Sequence, residues 1–367
     1  MSDYKADKIS ISQIQAAIQA AGENWEAGIT SVSELTPEEQ RIRLGVPPPP
    51  GGFDQIIRQA EAYRSAITAT AIGIPSAYDL RNVGGHNFIT PIRDQGNCGS
   101  CVAFGTCATI EGMFRVQRND PNLAIDLSEA HLFFCLGRTQ GVTCATGWMP
   151  DKAFACAANP GITDEACYPY NTSSADCSGL CSDWQNRATK VNGSHQVGAA
   201  DIKAAISSRG PVSACFVVFN DFFAYRSGVY RHVTGNQVGG HCVSLIGYDD
   251  AAGCWIAKNS WGIGWGEGGF FRIAYGECGI DTWAVYTADG IAETAWLNNR
   301  QVVGLWTIDQ DRNAWAYLDG SIGWRRIAYD NDNVFFNMLS ALSAAKLAKR
   351  PVNVYQEQGV IKQAYVL

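Results

Sequence analysis

Apolar residues follow two different spacings along this chain. Near the N-terminus Ile11, Ile14, Ala17, Ile18 and Ala21 recur at i, i+3, i+4, which predicts a short amphipathic helix ended by Gly22. Thr36-Pro37-Glu38-Glu39 predicts a second helix start, with Thr36 as N-cap, Pro37 as the first helical residue and Glu39 as the capping-box acid. Helical spacing returns over residues 53–70, after the run from Pro47 to Pro50 and Gly51-Gly52, a stiff polyproline segment with a flexible end. Residues 101–118, 128–136 (Ser128 as N-cap) and 149–158 continue as helices. The spacing then shortens: 211–219, 240–248, 254–258 and 269–274 are β-branched or aromatic runs separated by Gly, Asp and Asn, as strands are. Helices first and strands later predict an α+β body of two subdomains with a cleft between them. Beyond it, 302–308, 313–318 and 323–328 read as strands, with a turn at 309–312. Residues 333–348 read as an apolar helix, and 352–356 and 360–366 as strands joined at Gln358-Gly359, making a small β-rich unit. The expected divisions are 1–75, 76–289 and 290–367.

Composition narrows this picture. A chain of 367 residues is too long for one small core. Its 46% hydrophobic and 17% charged residues are those of a globular protein rather than a disordered one. A net charge of -7 without a basic patch argues against nucleic acid as a partner, and the basic run from Lys346 to Arg350 reads as a solvated helix end. No stretch is long and apolar enough to span a membrane. Thirteen cysteines point to a secreted protein or an oxidising compartment, and the odd total leaves at least one thiol unpaired. Against export, the residues after Met1 lack the apolar run of a secretory signal.

The candidate chemistry lies in Gln95-Gly-Asn-Cys98-Gly-Ser-Cys101-Val-Ala-Phe104, a glycine-loosened loop running into a helix. Cys101 falls at the helix N-terminus, where unpaired N–H groups and the helix dipole favour a thiolate over a thiol. A thiolate nucleophile needs a base, and an imidazole base needs a third group to hold its ring. Of His86, His131, His195, His232 and His241, only His241 opens an apolar strand after two glycines. Downstream, Asn259 can accept from an imidazole N–H, with Trp261 shielding that bond from water. The other four histidines are expected in surface, loop or capping roles.

In this order and spacing Gln95-Gly-x-Cys-Gly-Ser-Cys101, Gly240-His241 and Asn259-Ser-Trp-Gly262 resemble the papain-like cysteine peptidases, whose His and Asn follow the nucleophile by roughly 130–150 residues. The resemblance covers about residues 74–289. It implies a papain-like two-subdomain fold, with a helical left half and an antiparallel β-barrel right half, followed by the separate β-rich unit. It further implies Cys101 as nucleophile, His241 as general acid/base, Asn259 as the residue orienting the ring and Gln95 as the oxyanion-hole donor. Such chemistry requires neither metal nor organic cofactor. Val102 departs from the pattern, since the family nearly always has tryptophan there. Cys98 is expected to pair with Cys144 and Cys135 with Cys177, while Cys167 and Cys181 flank the latter loop and are a third candidate pair. Cys107, Cys156, Cys215, Cys242, Cys254 and Cys278 read as buried small hydrophobes. In the cleft, Gly147 of Cys144-Ala-Thr-Gly147-Trp148 would hydrogen-bond the substrate backbone. Trp148 would form a wall and Trp283 the floor of the S2 pocket, beside Gly240 and Trp261. A shallow apolar S2 that disfavours arginine and large aromatics is the expectation.

Asn24-Trp25-Glu-Ala-Gly28, Leu35-Thr-Pro-Glu-Glu39 and Leu44-Gly45 resemble the short prosegment of cathepsin-B-like members. That likeness implies a zymogen whose own prosegment is an intramolecular inhibitor, with the proline run as a thread through the cleft and cleavage within residues 51–76. The histidine-containing occluding loop of cathepsin B has no counterpart, since residues 167–191 carry no histidine, so an endopeptidase acting on protein or peptide substrates is expected. In the C-terminal unit Trp296, Trp306, Trp315 and Trp324 either form core or line a site for a glycan or protein ligand. Two further readings are a transpeptidase using the same site and a non-catalytic binding protein acting through the Trp-rich C-terminal unit.

Overall fold

Strand Val212–Phe219 is buried at all eight positions, which is why its sequence is a continuous apolar run without polar alternation. It pairs antiparallel with the long strand Gln237–Asp249. One side of that pair receives helix Cys101–Arg118, joined to it by Thr109 Oγ1 and Ser244 Oγ at 2.9 Å. Another part of the core is a cluster of Phe216, Phe222, Tyr225, Trp261, Trp265 and Phe271, whose rings meet mostly edge to face or tilted.

The computed structural model describes residues 8–66, 74–173, 176–292, 294–319, 322–329, 331–357 and 360–367. Its contacts divide the chain into Met1–Ile291 and Ala292–Leu367. In the first unit the sheet runs Ser194–Gln196, Tyr286–Ala288, Val212–Phe219, Gln237–Asp249, Cys254–Lys258, Phe270–Ala274, Val229–Tyr230, with Ala77–Asp79 also pairing on Gln237–Asp249. Helices Cys101–Arg118 and Pro150–Ala158 and a π-helical turn His131–Leu136 precede most of these strands. Disulfides join Cys98 to Cys144, Cys135 to Cys177 and Cys167 to Cys181, a pattern suited to folding in an oxidising compartment. No helix among the described residues is long and apolar enough to cross a membrane.

Several local expectations hold. Helix Ile11–Ala21 is capped by Ser10 and ends at Gly22 in the left-handed region (φ 69°), and Thr36 with Glu39 forms the capping box of Pro37–Ile42. The third N-terminal helix spans Gly52–Ala66, and the part of its expected length beyond residue 66 lies outside the described residues. Other expectations need correction. Residues 128–136 do not form one α-helix: Ser128 Oγ accepts from His131 N, but the turn that follows is π-helical. Helix Ile202–Arg209 has weak amphipathic spacing and was not expected from the sequence.

The second unit is a six-stranded sheet in the order Thr294–Arg300, Val352–Glu357, Val360–Val366, Gly323–Ile327, Ala314–Leu318, Val302–Thr307. Helix Asp332–Ala348, capped by Asn331, buries Phe335, Met338, Leu342 and Ala345 against Ala314, Ala316, Leu318, Val352, Val354 and Ile361. Strand Thr294–Arg300 lies beyond the strands that the sequence predicts. Trp306 and Trp324 are each 46% exposed, so they are not core residues. The side chain of Trp296 and the turn at 358–359 lie outside the described residues.

Candidate active site

The loop Gln95–Ser100 is held at both ends, so Cys101 has little freedom. Gln95 N donates to Ser260 O at 2.9 Å, and Gly99 N to Cys144 O at 3.0 Å beside the Cys98–Cys144 disulfide. Tyr170 Oη donates to Gln95 O at 2.8 Å and lies 2.6 Å from Ser100 Oγ. Cys101 is the first residue of its helix, fully buried, with its thiol unpaired.

His241 and Asn259 come from neighbouring parts of the sheet. His241 lies within strand Gln237–Asp249, and Asn259 directly follows strand Cys254–Lys258. His241 Nε2 lies 2.7 Å from Asn259 Oδ1. An amide oxygen only accepts, so Nε2 carries the proton and the neutral ring is left with a bare Nδ1. That Nδ1 is buried and has no hydrogen-bond partner. Trp261 is fully buried, its ring 4.7 Å from the imidazole, and so shields the His–Asn bond. Ser260 Oγ donates to Gln95 Oε1 at 2.8 Å, which fixes the amide so that its Nε2 points outward.

The space in front of these groups is filled by the chain's own N-terminal segment. Gln95 Nε2 donates to Arg43 O (2.9 Å) and Cys98 O (2.7 Å), Gly45 N to Cys101 Sγ (3.3 Å), Trp148 N to Gly45 O (2.8 Å), and Val46 N to Gly240 O (3.0 Å). A Cβ on Gly45 would stand 1.8 Å from Gly99 O, and one on Gly147 2.0 Å from Gly45 O, so glycine is required on both sides of this crossing. The thread is therefore Arg43–Gly45 and Val46, not the prolines that follow. Proline has no N–H, and this crossing uses the N–H groups of Gly45 and Val46. Trp148 meets the thread through its backbone, while its indole is buried near Phe133 with Nε1 on Gln140. Trp283 lies against Gly240 and is covered by Phe53, ring centroids 5.6 Å apart.

The rest of the segment clamps the thread in place. Trp25 is buried against Tyr230 and Tyr225, with Glu26–Ala27 paired on Tyr225–Ser227. Arg43 pairs with Asp94 at 3.0 Å, and Arg64 with Glu277 at 3.1 Å. Burial under this cover pushes the Cys101 thiol up to about 12, and nearby Cys242 adds to the effect, against backbone N–H groups of Gly45, Cys242 and Val102 that favour the thiolate. Burial also brings His241 down to about 4, despite its bond to Asn259. Under this cover the Cys101 thiol and the His241 imidazole are both neutral. The sequence pattern predicts no role for Arg43 or Ser260. Ser260 sits inside the Asn259-Ser-Trp-Gly262 motif, but nothing local signals that it faces Gln95.

The profile of the papain family cysteine protease matches residues 74–288. Cathepsin B-like CP3 of Giardia intestinalis is 32% identical over 76% of this chain and 93% of its own length. A gut-specific cysteine proteinase of Caenorhabditis elegans is 31% identical over 68% of this chain and 82% of its own. Among solved structures, proCathepsin B S9 from Trypanosoma congolense aligns with a TM-score of 0.60 at 25% identity, covering 77% of this chain and 100% of that one. Digestive procathepsin L 3 of Tenebrio molitor aligns at 0.58 and 25% identity, covering 76% and 87%. The chain belongs to the papain family of cysteine proteases. It has the papain-like fold and is a cysteine peptidase, a hydrolase.

Proposed function

We propose that this protein is an endopeptidase made as a zymogen, with residues 1–75 as prosegment and linker, 76–289 as the peptidase domain and 290–367 as an accessory domain. The observation that carries this reading is the thread: Arg43 O on the Gln95 amide and Gly45 N on Cys101 Sγ, with both reactive side chains buried beneath it. A segment that fills the cleft this completely excludes substrate, so its removal is the activating event. The resemblance to proforms of cathepsins supports the same reading.

Once the cover is gone, water and the helix N-terminus favour the thiolate, and Asn259 holds the imidazole with Nδ1 free to take the proton. The Cys101 thiolate then attacks the peptide carbonyl. Gln95 Nε2 and the Cys101 N–H stabilise the oxyanion in place of the contact now made to Arg43 O. Protonated His241 delivers its Nδ1 proton to the leaving amine, giving a thioester. His241 next deprotonates a water that attacks the thioester and releases the acid. In the cleft, Gly147 and Gly240 provide close backbone approach and the Trp148 N–H a backbone bond, while the indoles of Trp148 and Trp261 stay buried behind them. Trp283, covered by Phe53 in the zymogen, becomes the floor of an apolar S2 pocket. The loop carrying Cys167 and Cys181 is tied back by its disulfides and has no histidine to hold a substrate C-terminus, which favours endopeptidase action.

The test compares the chain with Cys101→Ala after acidification, using a dipeptidyl fluorogenic substrate and titration with an epoxide inhibitor. Turnover and labelling are expected only with Cys101 present, and their absence in the parent chain would defeat the reading. N-terminal sequencing of active enzyme should begin within residues 51–76, and an active species still starting at Met1 would contradict the zymogen. A peptide library showing strong P2 arginine preference would overturn the apolar S2.

A further inference from the structure

The thread carries one contact that exclusion of substrate does not require. Arg43 places its guanidinium beside the oxyanion hole, where Nη1 donates to Asp94 Oδ1 at 3.0 Å and Nη2 to Asn97 Oδ1 at 3.3 Å. The carbonyl of the same residue is the group held by Gln95 Nε2. The Arg43 side chain is only 9% exposed, whereas that of Asp94 is 52% exposed. The cleft thus buries the arginine and keeps the carboxylate within reach of solvent. A long charged side chain loses rotamer freedom when it is held, and a cradle that accepts it must return charge-assisted bonds.

The cradle belongs to the peptidase body. Asp94 Oδ1 also accepts from Gly96 N at 2.9 Å, which fixes the direction of the carboxylate, and Asp94 forms a backbone bridge with Trp261. A Cβ on Gly262 would stand 3.1 Å from Asp94 Oδ2, so glycine there keeps that face of the carboxylate open. Among the described residues Arg43 is the only ion-pair partner of Asp94, since neighbouring Arg93 pairs with Asp126. Its place relative to a substrate follows from the order of contacts along the thread. Arg43 meets Gln95, Gly45 meets Cys101 and Trp148, Val46 meets Gly240, and Phe53 covers Trp283. Trp283 is the proposed floor of S2, which takes the acyl side of a substrate. Asp94 and Asn97 therefore lie at the opposite end, against the leaving peptide.

We propose that Asp94 and Asn97 form a subsite for a basic side chain within the first two residues after the scissile bond, a place that Arg43 fills in the zymogen. The subsite rests on the peptidase reading above and names the substrates it favours: chains with arginine or lysine just beyond the bond that is cut. Two acceptor oxygens on separate residues match two NH₂ groups of one planar fork, so arginine is preferred to lysine. Asp94 takes no proton in the reaction. Its charge selects the leaving peptide once removal of the thread has taken Arg43 away.

The experiment assays the matured chain on internally quenched peptides that share one acyl half. They carry Arg, Lys, Gln or Glu at each of the first two positions after the scissile bond, and mass spectrometry of the products verifies the bond cut. In the parent, kcat/KM at one of these positions is expected to be about five- to tenfold higher for Arg than for Gln, with Glu the poorest. Asp94→Asn keeps the oxygen that accepts from Gly96 N and should bring the ratio to within about twofold. Asp94→Lys should invert the preference toward Glu. The ratio is taken within each enzyme, so a variant with weakened turnover still reports. Raising the ionic strength from about 0.05 M to about 0.5 M should shrink the parent's ratio by screening, a measurement that decides the matter even if neither variant folds. Equal rates for the Arg and Glu peptides in the parent, a ratio unmoved by salt, or a ratio retained in Asp94→Asn would overturn the proposal. A parent chain that cleaves no peptide and takes no epoxide label on Cys101 would instead defeat the peptidase reading itself, which separates the two failures.

Discussion

At the scale of single residues, the site is governed by a few contacts that tolerate no added atom. Gly45 passes within 3.3 Å of the nucleophile and leaves no room for a Cβ against Gly99. Gly45→Ala should therefore displace the thread. Overpacking of this kind costs about 1–3 kcal/mol, so a peptide of the N-terminal segment carrying the change should inhibit matured enzyme roughly ten- to hundredfold less well than the parent peptide. An inhibition constant within a factor of about two would show that the thread yields without cost. Asn259 bears on the opposite side of the chemistry. Asn259→Ala removes the acceptor at His241 Nε2 and frees the ring to rotate, and a misplacement of that sort lowers kcat by about 10²-fold, with KM little changed. The motif residues Gln95, Cys101, His241 and Asn259 were all legible in the sequence, because each stands in a local pattern that the family shares. Arg43 and Ser260 were not. Their roles arise from segments far apart in the chain meeting at one amide, which no local pattern records.

Among elements, the N-terminal segment decides whether the site can react. Covering His241 lowers its proton affinity from the usual 6.5 to about 4. The docked state then binds fewer protons than the open one between those values, so docking is at full strength above about pH 6.5 and weakens as pH falls toward 4. Cys101 acts in the opposite direction: its raised value makes docking strong while the uncovered thiol is also protonated, and weaker as pH climbs from there toward about 12. Conversion of the intact chain followed on gels should accordingly be faster near pH 4.5 than at pH 7, and a rate independent of pH would remove His241 from the account. Alkylation by iodoacetamide gives a second check. At neutral pH, Cys101 of the intact chain should stay unlabelled, while the matured enzyme reacts rapidly through its thiolate. The helices of this segment were legible from Ser10, Thr36 and Glu39, since caps are local chemistry. The position of the thread is not legible in the sequence. Proline stiffness suggested the run from Pro47 to Pro50, whereas the cleft demands N–H donors that only the preceding residues possess.

For the whole molecule, the two contact-defined units carry separate cores, one around the central strands and one between helix Asp332–Ala348 and its sheet. A chain ending at Ile291 should keep its peptidase activity, and residues 292–367 alone should unfold cooperatively by circular dichroism. Loss of activity on truncation, or a non-cooperative melt, would show that the units depend on each other. The sequence by itself determined the class of protein and pointed to the proposed reacting groups, because helix caps, strand periodicity and the motifs around Cys101, His241 and Asn259 are short-range patterns. It also indicated that an N-terminal prosegment precedes the peptidase. Only the tertiary structure decided which residues cross the cleft, that the covered Cys101 and His241 are neutral, that Trp283 lies beneath Phe53 and that Arg43 is paired with Asp94. Those facts depend on burial and on contacts between segments distant in the chain. Desolvation and steric fit act only once such segments have been brought together.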